Sequence, residues 1–194
     1  MGLEYERKYA ADENTLQKIH ASFSEPSYIL QMETTYYDTV DSALSRQKIT
    51  LRRRFENGIS ICTLKTPAGI IGRGEFQTEA DSIESAIPAL CQLSGFDALE
   101  ALAQKGLITV CGAKFTRIAR KIPFGSSLLE VALDQGVLSG GGKELPLYEV
   151  EVELLSGETK DADLYGALLS EKFSLQEETK SKFRRAMDLA KGET

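Results

Sequence analysis

Three glutamates at alternate positions, Glu149, Glu151 and Glu153, and three consecutive arginines, Arg52 to Arg54, are the residues of this sequence best placed to do chemistry. In an extended strand alternate side chains share a face and lie about 7 Å apart along it. The charged positions share a face opposite apolar ones: Glu149, Glu151 and Glu153 oppose Val150, Val152 and Leu154, and Arg52 and Arg54 oppose Leu51 and Phe55. The pattern recurs with Glu4, Glu6 and Lys8 against Leu3, Tyr5 and Tyr9, with Thr63 and Lys65 against Cys62 and Leu64, and with Glu130 and Asp134 against Val131 and Leu133. Any one of these strands alone reads as a sheet with one face in water. Together they read differently, because segments of a single sign destabilise a sheet unless something neutralises them. Divalent cations would neutralise the glutamates, and a polyanion the arginines and lysines. Hard oxygen donors without His or Cys suit Mg²⁺ or Mn²⁺. Arg and Lys beside such ions suit phosphate oxygens. The chemistry indicated is metal-assisted phosphoryl transfer or hydrolysis, in which positioning and electrostatics do most of the work.

The elements that must hold these residues are legible as period-2 segments at about 3–9, 34–38, 49–55, 59–65, 74–80, 114–122, 128–134 and 147–154. Asn57-Gly58 predicts a tight hairpin, and Gly136 and Gly140 to Gly142 predict further turns. Helices are expected from Asp12 to about Phe23, from Ser82 to about Ser94 with Pro88 inside, and over 97–106, with two more at about 159–173 and 176–190. Closing the charged faces inward gives an α+β fold: an eight-stranded antiparallel closed β-barrel with a polar tunnel and helices packed on the outside. The 194 residues, 27% of them charged, predict one globular domain over 1–194. A net charge of −6 argues against nucleic acid or an anionic membrane surface as partner. His20 is the lone histidine, which removes a histidine triad and His-based zinc sites, and no P-loop or nucleophile-elbow motif is present. Cys62, Cys91 and Cys111 fit no ligand spacing and are expected to be buried free thiols. With no long apolar run, a soluble cytoplasmic protein is expected.

The order of motifs resembles that of the CYTH superfamily, the triphosphate tunnel metalloenzymes. Glu4-Tyr5-Glu6-Arg7-Lys8 matches the N-terminal E-x-E-x-K signature. Thr35 to Thr39, Leu51 to Arg54 (L-R-x-R), Thr63-Leu64-Lys65 (T-x-K) and Arg73-Gly74-Glu75 (R-x-E) follow in order. Phe115-Thr116-Arg117, Glu130 to Gly136 (E-x-x-x-D-x-G), Glu149 to Glu153 and Ser181-Lys182 with Arg185 (S-K-x-x-R) complete it. The resemblance implies a divalent metal, one or two ions of Mg²⁺ or Mn²⁺, held by some of Glu4, Glu6, Glu130, Asp134, Glu149, Glu151 and Glu153. It implies that Lys8, Arg52, Arg54, Lys65, Arg117, Lys182 and Arg185 grip phosphates, with Glu75 holding a cation in register. Glu4, Glu6, Lys8 and Lys65 are the implied catalytic centre. Gln77 departs from the family, which often has a carboxylate there. Arg53 and Lys121 read as surface charges.

Within that superfamily the sequence looks most like the bacterial inorganic triphosphatases. The expected reaction is hydrolysis of tripolyphosphate to pyrophosphate and phosphate, on a small-molecule partner, by a monomer or homodimer. A nucleoside or thiamine triphosphatase, a class IV adenylate cyclase and a non-catalytic polyphosphate binder are the alternatives. A cyclase must fix a base, and no segment here is rich in aromatics.

Overall fold

The structure, a computed structural model, describes residues 5–67 and 74–193. Glu4 and Arg73, both singled out from the sequence, lie outside the described residues. The elements run β1 (Glu6–Ala10), α1 (Glu13–Ala21), β2 (Tyr28–Thr39), α2 (Ala43–Arg46), β3 (Thr50–Glu56), β4 (Ile59–Lys65), β5 (Glu75–Glu79), α3 (Ile83–Ser94), α4 (Ala98–Ala103), β6 (Leu107–Phe124), β7 (Ser127–Gly140), β8 (Lys143–Ser156), α5 (Thr159–Phe173), β9 (Gln176–Glu177) and α6 (Lys182–Lys191).

Local chemistry sets most of these boundaries. The Asp12 carboxylate accepts from the Thr15 amide at 2.7 Å and starts α1. Ser82 and Ser85 form a reciprocal cap on α3, which tolerates Pro88 within it. Asn57 (φ 49°) and Gly58 (φ 87°) turn β3 into β4, as expected of that dipeptide. Gly141 (φ 59°) and Gly142 (φ 74°) do the same between β7 and β8. Gly136, by contrast, is no turn. It lies within β7, where an added Cβ would come 2.1 Å from the Lys114 carbonyl oxygen and 2.5 Å from Phe115 Cα. Close approach of β6 is the reason for glycine there.

All strand pairs are antiparallel, in the order β5-β4-β3-β2-β6-β7-β8-β1-β9. The eight-stranded closed barrel is therefore corrected: among the described residues the sheet has nine strands and is not closed, with β5 and β9 at its edges. The sheet nevertheless curls, since side chains from β1 and from β3, β4 and β5 line one cavity.

The C-terminal segment holds two further corrections. Residues 176–177 pair with β1 instead of opening a helix, and the helix begins at Lys182. The helices are also not all on the apolar side. One core cluster packs α1 and α5 residues such as Ile19, Ala162 and Leu169 on Leu129, Val131, Val150 and Val152, and a second packs α3 on Leu51, Cys62 and Leu64. The third sets Ala186 and Phe183 of α6 among Met32, Tyr36, Phe115, Leu138 and Leu147. By strand alternation these share the face of Asp134, Glu149 and Glu151. Helix α6 therefore sits within the curl of the sheet and carries Lys182 to its charged residues. The three cysteines are buried and free, as expected.

Candidate active site

The charged face of the curled sheet encloses a cavity of about 440 Å³. Glu6 and Lys8 of β1, Arg52 and Arg54 of β3, Lys65 of β4, Glu75 of β5, Arg117 of β6, Glu151 and Glu153 of β8 and Lys182 of α6 all line it. Ten residues singled out from the sequence thus face one space. Six are cations and four are carboxylates, an excess of positive charge in a chain whose net charge is −6. Glu130, Asp134, Glu149 and Arg185 do not line it. Tyr5, Tyr36, Thr50, Gly74, Ser181 and Phe183 do, and were not proposed from the sequence. The Tyr36 ring packs at a 44° tilt on that of Phe183, with centroids 4.9 Å apart. The signal for Ser181 was present: it caps α6 by accepting from the Arg184 amide at 3.1 Å.

At and behind the cavity wall three carboxylates meet three cations. Arg117 forks onto Asp134, with Nε and Nη2 each 2.8 Å from an oxygen, and Nη2 also reaches Glu151. Lys182 Nζ lies 2.8 Å from Asp134 Oδ2 and 2.6 Å from Glu151 Oε1, and it also bonds Glu149. Arg185 donates to Glu149 as well and lies 3.6 Å from Glu178. Burial opposes charge on Lys182, yet Glu151, Asp134 and Glu149 outweigh it and raise its pKa. Arg117 is raised in the same way, by Glu151 and Asp134 against burial. Burial alone would raise Glu151, but Lys182 and Arg117 hold it well below the usual carboxylate range. Glu149 goes the other way: burial first, then the Glu151 charge, pushes it up to about 7 although Lys182 and Arg185 pull it back.

The other cavity-lining cations are held differently. Glu75 takes Lys65 at 2.7 Å and Arg52 at 3.3 Å, and Gln77 donates to Glu75 at 2.6 Å. Gln77 thus steadies Glu75. Lys8 lies 3.3 Å from Glu6. Arg54 donates to the Thr34 hydroxyl at 3.3 Å and, among the described residues, makes no ion pair. Burial, Arg52 and Arg117 push its pKa down to about 10, so it stays charged at neutral pH. A desolvated cation without a carboxylate, facing a cavity, is a place for an anion.

Carboxylates also line up across strands. Glu6 is the Cα partner of Glu153, and Glu153 that of Glu130, so three glutamates form one row over β1, β8 and β7. Directly opposed side chains of this kind are about 5 Å apart. Next along, Asp134, Glu149 and Glu151 bring ligand atoms within 4.8 Å of one another, so this buried cluster could hold a metal ion. Both sets offer only carboxylate oxygens, the donor type a hard divalent ion takes, and among the described residues it is the Asp134 set whose ligand atoms converge. The Asp134 set already has its negative charge matched by Lys182, Arg117 and Arg185, whereas the Glu6 row reaches the open cavity through Glu6 and Glu153. Tyr28 of β2 donates to Glu130, and burial together with that bond raises its pKa.

A curled antiparallel sheet thus gathers cations and carboxylates from seven elements around one cavity, the arrangement the sequence motifs implied. The sequence profile of the CYTH domain matches residues 2–187, and the chain belongs to that family. Over 136 residues it is 36% identical to an inorganic triphosphatase of Haemophilus influenzae, a match covering 68% of this chain and 38% of that protein. The chain thus spans well under half the length of that curated relative. Two solved structures share the fold. A Hippeastrum candidate adenylyl cyclase, for which a dominant triphosphatase activity is described, superposes with a TM-score of 0.69 at 18% identity, covering 99% of this chain and 97% of that one. A Pyrococcus horikoshii protein gives 0.61 at 18% identity, covering 96% and 99%. No helix among the described residues is long and apolar enough to cross a membrane.

Proposed function

We propose that this chain is a metal-dependent triphosphatase whose preferred substrate is inorganic tripolyphosphate, cleaved to pyrophosphate and phosphate. The observation that carries the reading is the cavity lining, in which Lys8, Arg52, Arg54, Lys65, Arg117 and Lys182 surround one space beside Glu6, Glu151 and Glu153. The triphosphatase name of the Haemophilus influenzae relative and the activity described for the Hippeastrum protein point the same way.

In this reading Arg52, Arg54 and Lys65 take phosphate oxygens on one wall and Lys8, Arg117 and Lys182 on the other, so the chain lies extended between them. Glu75 keeps Arg52 and Lys65 apart and aimed inward. Glu6 and Glu153, which line the cavity, would present oxygen donors to a Mg²⁺ or Mn²⁺ ion, and the resemblance adds Glu4 to that ligand set. Such an ion, when bound, offsets phosphate charge and lowers the pKa of water. Asp134, Glu149 and Arg185 serve from behind, fixing Lys182 and Arg117 instead of touching substrate. The same reading gives residues 1–194 as one domain acting on a small-molecule partner, with the cytoplasm as its proposed location.

The test is phosphate release from tripolyphosphate, ATP and thiamine triphosphate side by side, with Mg²⁺ and then Mn²⁺, with ATP products also assayed for cyclic AMP. Preference for tripolyphosphate supports the proposal. Preference for ATP with cyclic AMP formed would make the chain a cyclase, and tight tripolyphosphate binding without turnover would make it a binding module.

A further inference from the structure

Tyr28 and Glu130 are two strands apart, yet the phenol of the first donates to the carboxylate of the second. Strand β6 runs between β2 and β7, so the bond spans about 10 Å of sheet. The register explains how. Tyr28 pairs with Ala119, and Ala119 pairs with Ala132. Both alanines are buried, and by alternation they share the face of Tyr28 and Glu130. Two methyl groups form a low floor across which the tyrosine ring can lie, where larger side chains would block it. Glu153 and Arg117 are close enough to act on the same phenol electrostatically. Glu130 stands at the end of the row Glu130, Glu153, Glu6, whose last two members face the cavity.

We infer that Tyr28 is a positioning residue for the carboxylate row: its hydroxyl fixes Glu130 so that the free oxygen of that carboxylate joins Glu153 and Glu6 in holding a divalent ion. The inference rests on the metal-dependent reading above. A phenol suits this task because it donates one hydrogen bond and adds no charge, so it orients the carboxylate without neutralising it as Lys or Arg would. Partners that orient ligating carboxylates typically change metal affinity by about 10- to 100-fold when removed. Nothing in the chain's fold demands the bond, since the Tyr28 ring is part-exposed at the start of β2.

The test is calorimetric titration of Mn²⁺ into the metal-free chain, without substrate, for the wild type, Tyr28→Phe, Glu130→Gln and the double variant. Tyr28→Phe should bind Mn²⁺ about 10- to 100-fold more weakly, with its metal-free melting temperature unchanged. The double variant should bind no more weakly than Glu130→Gln, because the phenol then has no carboxylate to orient. Wild-type affinity in Tyr28→Phe would overturn the inference and leave the metal site standing. So would an equal loss from Tyr28→Phe in both backgrounds. A wild type that binds no Mn²⁺ would remove the metal reading itself, and this role with it.

Discussion

Lys182 Nζ, at the first turn of α6, lies 2.6 Å from Glu151 Oε1 of β8, inside a knot of carboxylates that also holds Asp134 and Glu149. One ammonium therefore ties the C-terminal helix to the middle of two strands and sits at the wall of the cavity. Removing one partner of a buried ion cluster leaves the others desolvated and uncompensated, which costs far more than the cluster contributes when intact.

Lys182→Met should thus lower stability by about 3–5 kcal/mol in urea unfolding of the metal-free chain. Mg²⁺ should then raise the melting temperature of the variant more than that of the wild type, because Asp134, Glu149 and Glu151 have lost a cation and their oxygens lie within 4.8 Å of one another. An unchanged urea midpoint would mean that the cluster does not hold α6.

The Glu149 carboxyl, pushed up to about 7 by burial, gives a pH signature. Between about pH 4.5 and pH 7 the folded chain keeps a proton that the unfolded chain has released. Its stabilisation is complete below about pH 4.5 and disappears as the pH rises through 7. Stability of the wild type relative to Glu149→Gln should fall by on the order of 3 kcal/mol between pH 4.5 and pH 8. Parallel pH profiles of the two proteins, followed by urea unfolding, would contradict this.

Arg54 separates binding from folding. It makes no ion pair among the described residues, and burial and neighbouring cations already strain its charge. Arg54→Met should leave the melting temperature equal or higher. Its affinity for tripolyphosphate, measured by calorimetry with Mg²⁺, should drop about 10- to 100-fold, as for loss of a charge-assisted hydrogen bond. A destabilised variant with normal affinity would make Arg54 structural.

Much of this was legible in the sequence because period-2 alternation fixes which side chains share a face. Glu6, Lys8, Arg52, Arg54, Lys65, Glu151 and Glu153 were found by that rule alone, and they do face one cavity. Alternation says nothing about depth along the curl, so it could not tell that Asp134 and Glu149 would be sealed behind Lys182 while Glu153 reached the open space. It was equally blind to α6. The helix repeat is visible in the sequence, but a helix that packs on the charged side of the sheet does so through Ala186 and Phe183 against Tyr36, Phe115 and Leu138, contacts distant along the chain. Gly136 misled for a related reason: glycine marks turns, and here it marks a strand that passes too close for a Cβ. The Tyr28 bond to Glu130 depends on two alanines on intervening strands, a register no local pattern encodes.

If the cavity cleaves a triphosphate with a metal ion held by its carboxylates, Glu6 is indispensable to turnover. The most direct measurement is tripolyphosphate hydrolysis in Mg²⁺ by the wild type and by Glu6→Gln, with both products quantified. The wild type should give one pyrophosphate and one phosphate per turnover and lose activity on chelation, and the variant should fold but turn over at least 100-fold more slowly, roughly the scale of a lost electrostatic contact to the transition state. Full activity in Glu6→Gln at the same Mg²⁺ concentration would contradict it.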